Sequence, residues 1–417
     1  MMVLIFLYNL VALPIILLLS IIFSIFNTKI RKGFIGRFNS FSALKSFPTN
    51  KFSQIYWFHC ASFGEYQQVE TLIEQIKKRD QGIGIITSFF SPSGFENVND
   101  RNIDLKIYLP FDFIFSSLRA LRIVKPSKIF FTSSDFWPSF LFAANQLNIT
   151  TLLTSARYRK SYTIFLKMFK KIFCVSDNDY HQIKMNISNN EIYKIGNPRY
   201  DRILNNLENV EYKLDSSRKD EVNILIFASM WDEDNKMIFE KFINSPLVNH
   251  FEKVIIVPHE VTNSYLNYYC SVLKDNDFSF KKINQYQNFN KFEEKYIIVN
   301  KVGFLSKLYA QSTVAYVGGG FSKSGIHNII EPAANMCPFI FGPYIYNFED
   351  ISQMFLSENA CIQISNEDDL YIAAKKILSS SEFSSQLVSN AISVVKSNKG
   401  SVDKQSSAII RILNSRN

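Results

Sequence analysis

Val317 to Pro343 reads VGGGFSKSGIHNIIEPAANMCPFIFGP, and this stretch decides the fold. The apolar run Val314 to Val317 reads as a buried parallel strand. Gly318, Gly319 and Gly320 then make a turn in which the backbone can approach a ligand closely, and Asn328 leads a helix that carries Glu331 and Pro332. A further apolar run, Pro338 to Phe341, is the next strand. Strand, glycine turn, helix and strand form the repeating unit of a parallel α/β sheet, and the free N–H groups opening such a helix favour a phosphate. Glu331 is then placed to hold a sugar hydroxyl. Two plainer readings stay open. A glycine-rich turn is often only a tight corner, and Asn328 with Glu331 fits a capping box.

The same alternation runs outward in both directions. Towards the N-terminus, strands are expected at Ile55–His59, Gly84–Phe90, Asp104–Leu109, Lys128–Thr132, Thr151–Thr154, Ile172–Val175 and Tyr193–Ile195. A second series opens at Val222–Phe227 and continues through Val254–Val257, Tyr296–Val299, Val314–Val317, Pro338–Phe341 and Cys361–Ile364. Helices fit between these runs, so right-handed βαβ units follow. The polar stretch Asn205–Glu221 reads as a linker. The expectation is α/β: two doubly wound, Rossmann-like domains, with ligands at the carboxyl ends of the strands and the substrate between the domains. The expected division is residues 1–28, 29–208 and 209–417.

The first of these segments is different in kind. Val3 to Phe26 carries no charge over about 24 residues, enough to cross a bilayer at roughly 1.5 Å per residue. Lys29, Arg31, Lys32 and Arg37 follow, and no Asp or Glu occurs before Glu65. Positive flanks stay in the cytosol, so the remainder of the chain is expected to be cytoplasmic behind a retained anchor. A cleaved signal would carry its charge before the apolar run and small residues after it. The net charge of +9 is thus concentrated where lipid phosphate would be, and no nucleic-acid motif accompanies it. The five cysteines are scattered without CxxC spacing, which fits a reducing compartment, and no zinc pattern exists among them and the five histidines.

Polar residues follow nearly every strand. In WFHCASFGEYQQVETLIEQI, Trp57 to Ile76, Ala61, Ser62 and Gly64 form a turn and Glu65 opens a helix. A carboxylate there can act as a general base towards a hydroxyl, or simply complement a helix dipole. Ser133, Ser134 and Asp135 follow another run, Arg157, Arg159 and Lys160 a third, and Asn197, Pro198 and Arg199 a fourth. In the second half, Ser229 and Trp231 follow the opening strand, and Pro258, His259 and Glu260 follow Val257.

The blocks HCASFGE, FFTSSDFWPS, IGNPRYD, FASMWDED, VPHE and VGGGFSKSGIHNIIEPAANMCPFIFGPYIYNFED occur in an order and spacing that resemble the Kdo (3-deoxy-D-manno-octulosonic acid) transferases of lipopolysaccharide core assembly. The resemblance implies a GT-B glycosyltransferase, two Rossmann-like domains facing across a cleft, with an N-terminal membrane-anchoring helix at the cytoplasmic face of the inner membrane. It implies CMP-Kdo as donor substrate, a lipid A precursor (lipid IVA) as acceptor, and neither metal nor cofactor. By the same resemblance Glu65 is the catalytic base and Arg199 stabilises the transition state, with Asp135 a further acid of the site. Pro258, His259, Val302, Gly303, Phe304, Asn328, Ile329, Ile330 and Glu331 would hold the CMP moiety. The chain departs from its relatives in places: Asp135 stands where many carry glutamate, His259 where many carry arginine, and Gly325 and Ile326 where a glycine pair is commoner. A UDP-sugar transferase or epimerase, and a catalytically silent lipid A binding homologue, are the competing readings.

Overall fold

The computed structural model describes residues 2–133, 135–188, 191–208, 222–286, 292–301, 303–346 and 348–414. By contact the chain forms two units, Met1–Arg202 with Gly400–Asn417, and Ile203–Lys399. The last helix, Ser401–Asn414, therefore belongs with the first unit, where the sequence reading ran the second domain to the end of the chain. Asp201 holds it there: its carboxylate accepts from the Gly400 and Val402 amides at 2.6 and 3.0 Å and from the Ser401 hydroxyl. The linker expected at 205–221 lies almost wholly outside the described residues.

Each unit is built on one sheet. The first contains β1 (Gln54–Cys60), β2 (Ile83–Phe89), β3 (Leu105–Tyr108), β4 (Lys128–Thr132), β5 (Thr150–Ala156), β6 (Lys171–Cys174) and β7 (Ile192–Lys194), in the order β3-β2-β1-β4-β5-β6-β7. The second contains β8 (Ile224–Met230), β9 (Lys253–Pro258), β10 (Phe280–Ile283), β11 (Tyr296–Val299), β12 (Val314–Val317), β13 (Phe339–Phe341) and β14 (Ile362–Gln363), in the order β10-β11-β9-β8-β12-β13-β14. All described pairings are parallel. Such strands are covered on both faces, which is why they read as continuous apolar runs rather than alternating ones. In β1, Trp57 packs on one side of the sheet with Ile86 and Phe131, while Tyr56 and Phe58 pack on the other with Ile85 and Phe130. Burying each such side chain contributes about 1.5–3 kcal/mol.

In both sheets the chain winds one way and then reverses. The reversal falls between β1 and β4 in the first unit and between β8 and β12 in the second. At such a point the loops leaving two neighbouring strands diverge and open a crevice at the carboxyl edge, the usual ligand site of doubly wound sheets. Three non-glycine residues near these edges, Ser133, Ser155 and Ser229, have positive φ (63°, 54° and 58°). Backbone strain of this kind collects where a fold re-aims side chains.

Before the first sheet lie two helices, Met2–Phe26 and Thr28–Ser46, separated by an extended Asn27. The first is long and apolar enough to cross a membrane by length and composition, with a mean hydropathy of 2.7.

Candidate functional site

The crevice of the first unit is lined from β1 and β4. Ser62 is extended (φ −141°), and its hydroxyl accepts from the Glu65 amide at 3.4 Å, so the helix Phe63–Tyr66 starts directly off the end of β1. This turn folds Glu65 back over the strand end, where its carboxylate accepts from the Ala61 amide at 2.5 Å. Burial pushes the Glu65 carboxyl up to about 8; the Asp135 charge adds to this, while the Ala61 N–H and the Arg199 charge oppose it. Arg199 opens the helix Pro198–Glu208 after β7. Burial, then the charges of Arg157 and Arg202, bring its guanidinium down to about 10, against the pull of Glu65. Glu65 and Arg199 thus stand within electrostatic reach of one another although 134 positions separate them in the chain (199 − 65). Arg202 adds an ion pair with Glu70 at 3.7 Å.

Asp135 is held from the other side of the crevice. Its Oδ2 accepts from Trp137 Nε1 at 2.9 Å and meets His59 Nε2 at 3.1 Å. His59 Nδ1 lies 3.0 Å from Ser88 Oγ, which also accepts from Trp57 Nε1 at 2.8 Å. Every group in this chain is matched if His59 donates from Nε2 and accepts from Ser88 at Nδ1. Burial alone would raise the Asp135 carboxyl, but the His59 and Trp137 hydrogen bonds, with the Arg37 charge, outweigh it and hold Asp135 below the ordinary value. Two carboxyls in one crevice are thereby driven apart, one up and one down, the arrangement that divides acid–base roles. His59 escaped the sequence reading because it sits on a buried strand. Its signal was parity: it shares the face of Trp57, which points towards the residues after β4.

The second unit uses the same topological position differently. Gly318 packs against the β8 bulge, where an added Cβ would lie 2.4 Å from Ser229 O; Gly320 packs against Gly342, and Gly319 takes φ +90° beside Gly325 O. The Gly318 amide donates to Ala228 O at 2.8 Å. The Gly319 amide donates to Asp234 Oδ2 at 2.6 Å, and Asp234 Oδ1 accepts from Tyr316 Oη at 2.8 Å and from the Phe321 amide at 3.4 Å. These glycines therefore serve close backbone packing, the tight-corner reading, with Asp234 as the internal acceptor for the turn. Burial raises the Asp234 carboxyl against those four hydrogen bonds, the fourth from the Trp231 amide at 3.1 Å. Sequence reading passed over Asp234 because three of its four partners lie 82 to 87 residues away.

Beyond the turn, the residues assigned to the CMP moiety follow neighbouring strands. Pro258 ends β9, with His259 next; Gly303 (φ +108°) and Phe304 precede the helix Leu305–Gln311 after β11; Val302 lies outside the described residues. Asn328 does not begin a long helix. The helix is Ile330–Ala334, and Asn328 Oδ1 accepts from the Ile330 amide at 3.1 Å. Glu331 Oε1 accepts from the Asn328 side-chain amide at 3.2 Å, which links the two side chains directly. His327 Nε2 accepts from Trp231 Nε1 at 2.5 Å, and the His259 ring stacks on both, 4.0 Å from Trp231 and 4.3 Å from His327. Burial, then the charge of His259, drives His327 down to about 3, so the His327 ring itself stays uncharged. Among the described residues no group of three or more His, Cys, Asp or Glu side chains gathers as a metal site.

Residues 32–202 match the family model described as 3-deoxy-D-manno-octulosonic-acid transferase (kdotransferase). The chain is 25% identical over 327 residues to the 3-deoxy-D-manno-octulosonic acid transferase of Aquifex aeolicus, covering 78% of this chain and 86% of that one. It is 26% identical over 373 residues to the enzyme of the same name from Haemophilus influenzae, covering 83% and 84%. A glycosyltransferase structure from Rickettsia africae superposes with a TM-score of 0.60 at 15% identity, over 87% of this chain and 99% of that one, which shows a shared GT-B fold. Over residues 32–202, and at 25% and 26% identity over most of its length, the chain is thus similar to the Kdo transferases, which are glycosyltransferases.

Proposed function

We propose that this protein moves Kdo from CMP-Kdo to a lipid A precursor such as lipid IVA at the cytoplasmic face of the inner membrane, without a metal ion. The observation that carries the reading is the Glu65 carboxyl, raised to about 8 by burial and set at the β1 switch point beside Arg199. A sugar hydroxyl is a weak nucleophile, and a positioned base accelerates its attack by about 10²–10⁴-fold. Glu65 takes the hydroxyl proton as the acceptor oxygen bonds to the anomeric carbon of Kdo. The bond from that carbon to the CMP phosphate breaks, and its electron pair leaves with CMP. A carboxyl titrating near 8 is a stronger base than an ordinary one, at the cost of being only about a tenth ionised at pH 7.

Arg199, with Arg157 and Arg202 around it, offsets negative charge gathering at the reacting centre. Asp135, kept ionised by His59 and Trp137, has the role of holding the Glu65 carboxyl high. In the second unit Pro258, His259, Val302, Gly303, Phe304 and Asn328 to Glu331 are assigned to the CMP moiety. The short Ile330–Ala334 helix would contribute its free amides rather than a sizeable dipole.

The test is mass spectrometry of lipid IVA incubated with CMP-Kdo and the full-length protein. The acceptor mass should rise by one or more Kdo residues, with CMP but not UDP inhibiting. An unchanged acceptor in the presence of bound CMP would leave only a silent homologue, and inhibition by UDP alone would point to a UDP-sugar enzyme.

A further inference from the structure

The helix Met2–Phe26 is held to the first unit at Asn9, and the helix that follows it is held to the same unit at Arg37 and Ser40. Asn9 donates from Nδ2 to Ser139 Oγ at 2.8 Å, and its Oδ1 accepts from the Ile114 amide at 2.8 Å. That amide opens the helix Ile114–Val124, whose own cap residue, Phe113, supplies no side-chain acceptor, so Asn9 fills the place from outside. At the other end Asn27 breaks the helix (φ −124°, ψ 110°), and its side chain caps Thr28–Ser46. That second helix is fastened to the same unit: Arg37 donates to Phe90 O at 3.0 Å, and Ser40 to Tyr108 O at 2.8 Å.

The less exposed positions, Ile5, Tyr8, Asn9, Ala12 and Leu13, then Leu17, Ser20 and Ser24, share one stripe along the whole helix. The Ser20 and Ser24 hydroxyls bond back to Ile16 O and Ile21 O. The rest of the circumference is exposed and apolar, from Phe6 (63%) to Phe26 (83%). Ile35 and Phe38 on the second helix, and Phe115 at 83% exposure beside the Asn9 tie, extend this surface onto the first unit itself. Lys29 and Arg31 lie on it, exposed, with no acidic residue before Glu65.

A spanning helix needs about 30 Å of hydrocarbon between its ends, with the domain on one side. From Asn9 to Phe26 the helix rises only about 26 Å, at 1.5 Å per residue, and the chain is bonded to the same unit at Asn9 and again, past Asn27, at Arg37 and Ser40. We propose that the helix does not cross the bilayer: it lies along the first unit and enters a single leaflet side-on, together with Ile35, Phe38 and Phe115, while Lys29 and Arg31 meet anionic headgroups. This rests on the reading that the protein works at a membrane, and its test reports topology and lipid contact rather than sugar transfer.

The full-length protein, with one protease-cleavable tag ahead of Met2 and another after Asn417, is placed in sealed inner-membrane vesicles with the cytoplasmic face outward. Both tags should be cut by added protease without detergent. Protection of the N-terminal tag alone would overturn the proposal. In flotation with vesicles of phosphatidylethanolamine and phosphatidylglycerol, Phe115→Glu should weaken binding about tenfold, since a residue outside the helix shares the lipid surface. Binding unchanged by Phe115→Glu would overturn the proposal, as would failure of the wild-type chain to float. Because neither readout involves donor or acceptor, a protein that binds side-on yet leaves lipid IVA unmodified would disprove the proposed reaction without touching this inference.

Discussion

The two sheets reverse at equivalent places, between β1 and β4 and between β8 and β12, yet their crevices are opposites in electrostatics. In the first unit the carboxyls of Glu65 and Asp135 are pushed in opposite directions, and Arg199 sits among like charges. In the second, Asp234 is buried under four hydrogen bonds and His327 is driven down to about 3 inside a ring stack. One topology therefore supplies a place, and the side chains decide its use: the first crevice is arranged to change protonation, the second to keep a fixed shape.

The largest effect should come from Glu65→Gln, which keeps the size of the side chain and removes the base. Transfer should fall about 10²–10⁴-fold, while CMP binding, assigned to the other unit, stays as in the wild type by calorimetry. A fall in both would break the division between the crevices. Asp234→Ala should act through stability instead. Stranding the Gly319 amide and the Tyr316 hydroxyl in the core should cost about 3 kcal/mol. Hydrogen exchange should show lost protection in β8 and β12 with β1 and β4 unaffected. Loss spread evenly over both sheets would show that the turn is not a local device.

The pH behaviour sharpens the contrast further. The rising limb of kcat/KM should follow the Glu65 carboxyl, and Asp135→Asn, which removes a charge that raises it, should move that limb to lower pH. Stability should respond with the opposite sense of an ordinary salt-bridged acid. A folded-state pKa above the unfolded one binds more protons in the native state, so stability is full below the usual glutamate value and is lost as pH climbs towards 8. Glu65→Gln should therefore be more stable than the wild type at pH 8 to 9 and indistinguishable near pH 4 in thermal unfolding. The smallest effect expected is at Ser155, with φ 54° and a buried hydroxyl that has no partner among the described residues. Ser155→Gly should stabilise by about 0.5–1 kcal/mol, the relief of a left-handed backbone less the entropy of glycine.

Much of this was legible where burial is two-sided. Val314–Val317, Tyr296–Val299 and Lys128–Thr132 are strands with the bounds expected, because fully buried parallel strands are apolar throughout. Phe280–Ile283 was not legible: Lys281 and Lys282 interrupt it, which an edge strand tolerates on its open side. Glu65 could be found because it opens a helix directly after a strand. His59 left only its parity with Trp57, and Asp234 nothing as direct, since their meaning lies in partners set by long-range folding: Asp135 across the switch point for one, and the glycine turn for the other. The return of Ser401–Asn414 to the first unit likewise has no local signal; it depends on Asp201, some 200 residues earlier.

The central claim is that Glu65, poised by burial between Asp135 and Arg199, is the base for transfer. It is tested most directly by the pH dependence of kcat/KM for Kdo transfer between pH 5 and 9.5. The rate should climb through an apparent pKa near 8 in the wild type, and the limb should be absent from the residual activity of Glu65→Gln. A flat profile, or a Glu65→Gln variant that keeps both the limb and near-wild-type rate, would contradict the account.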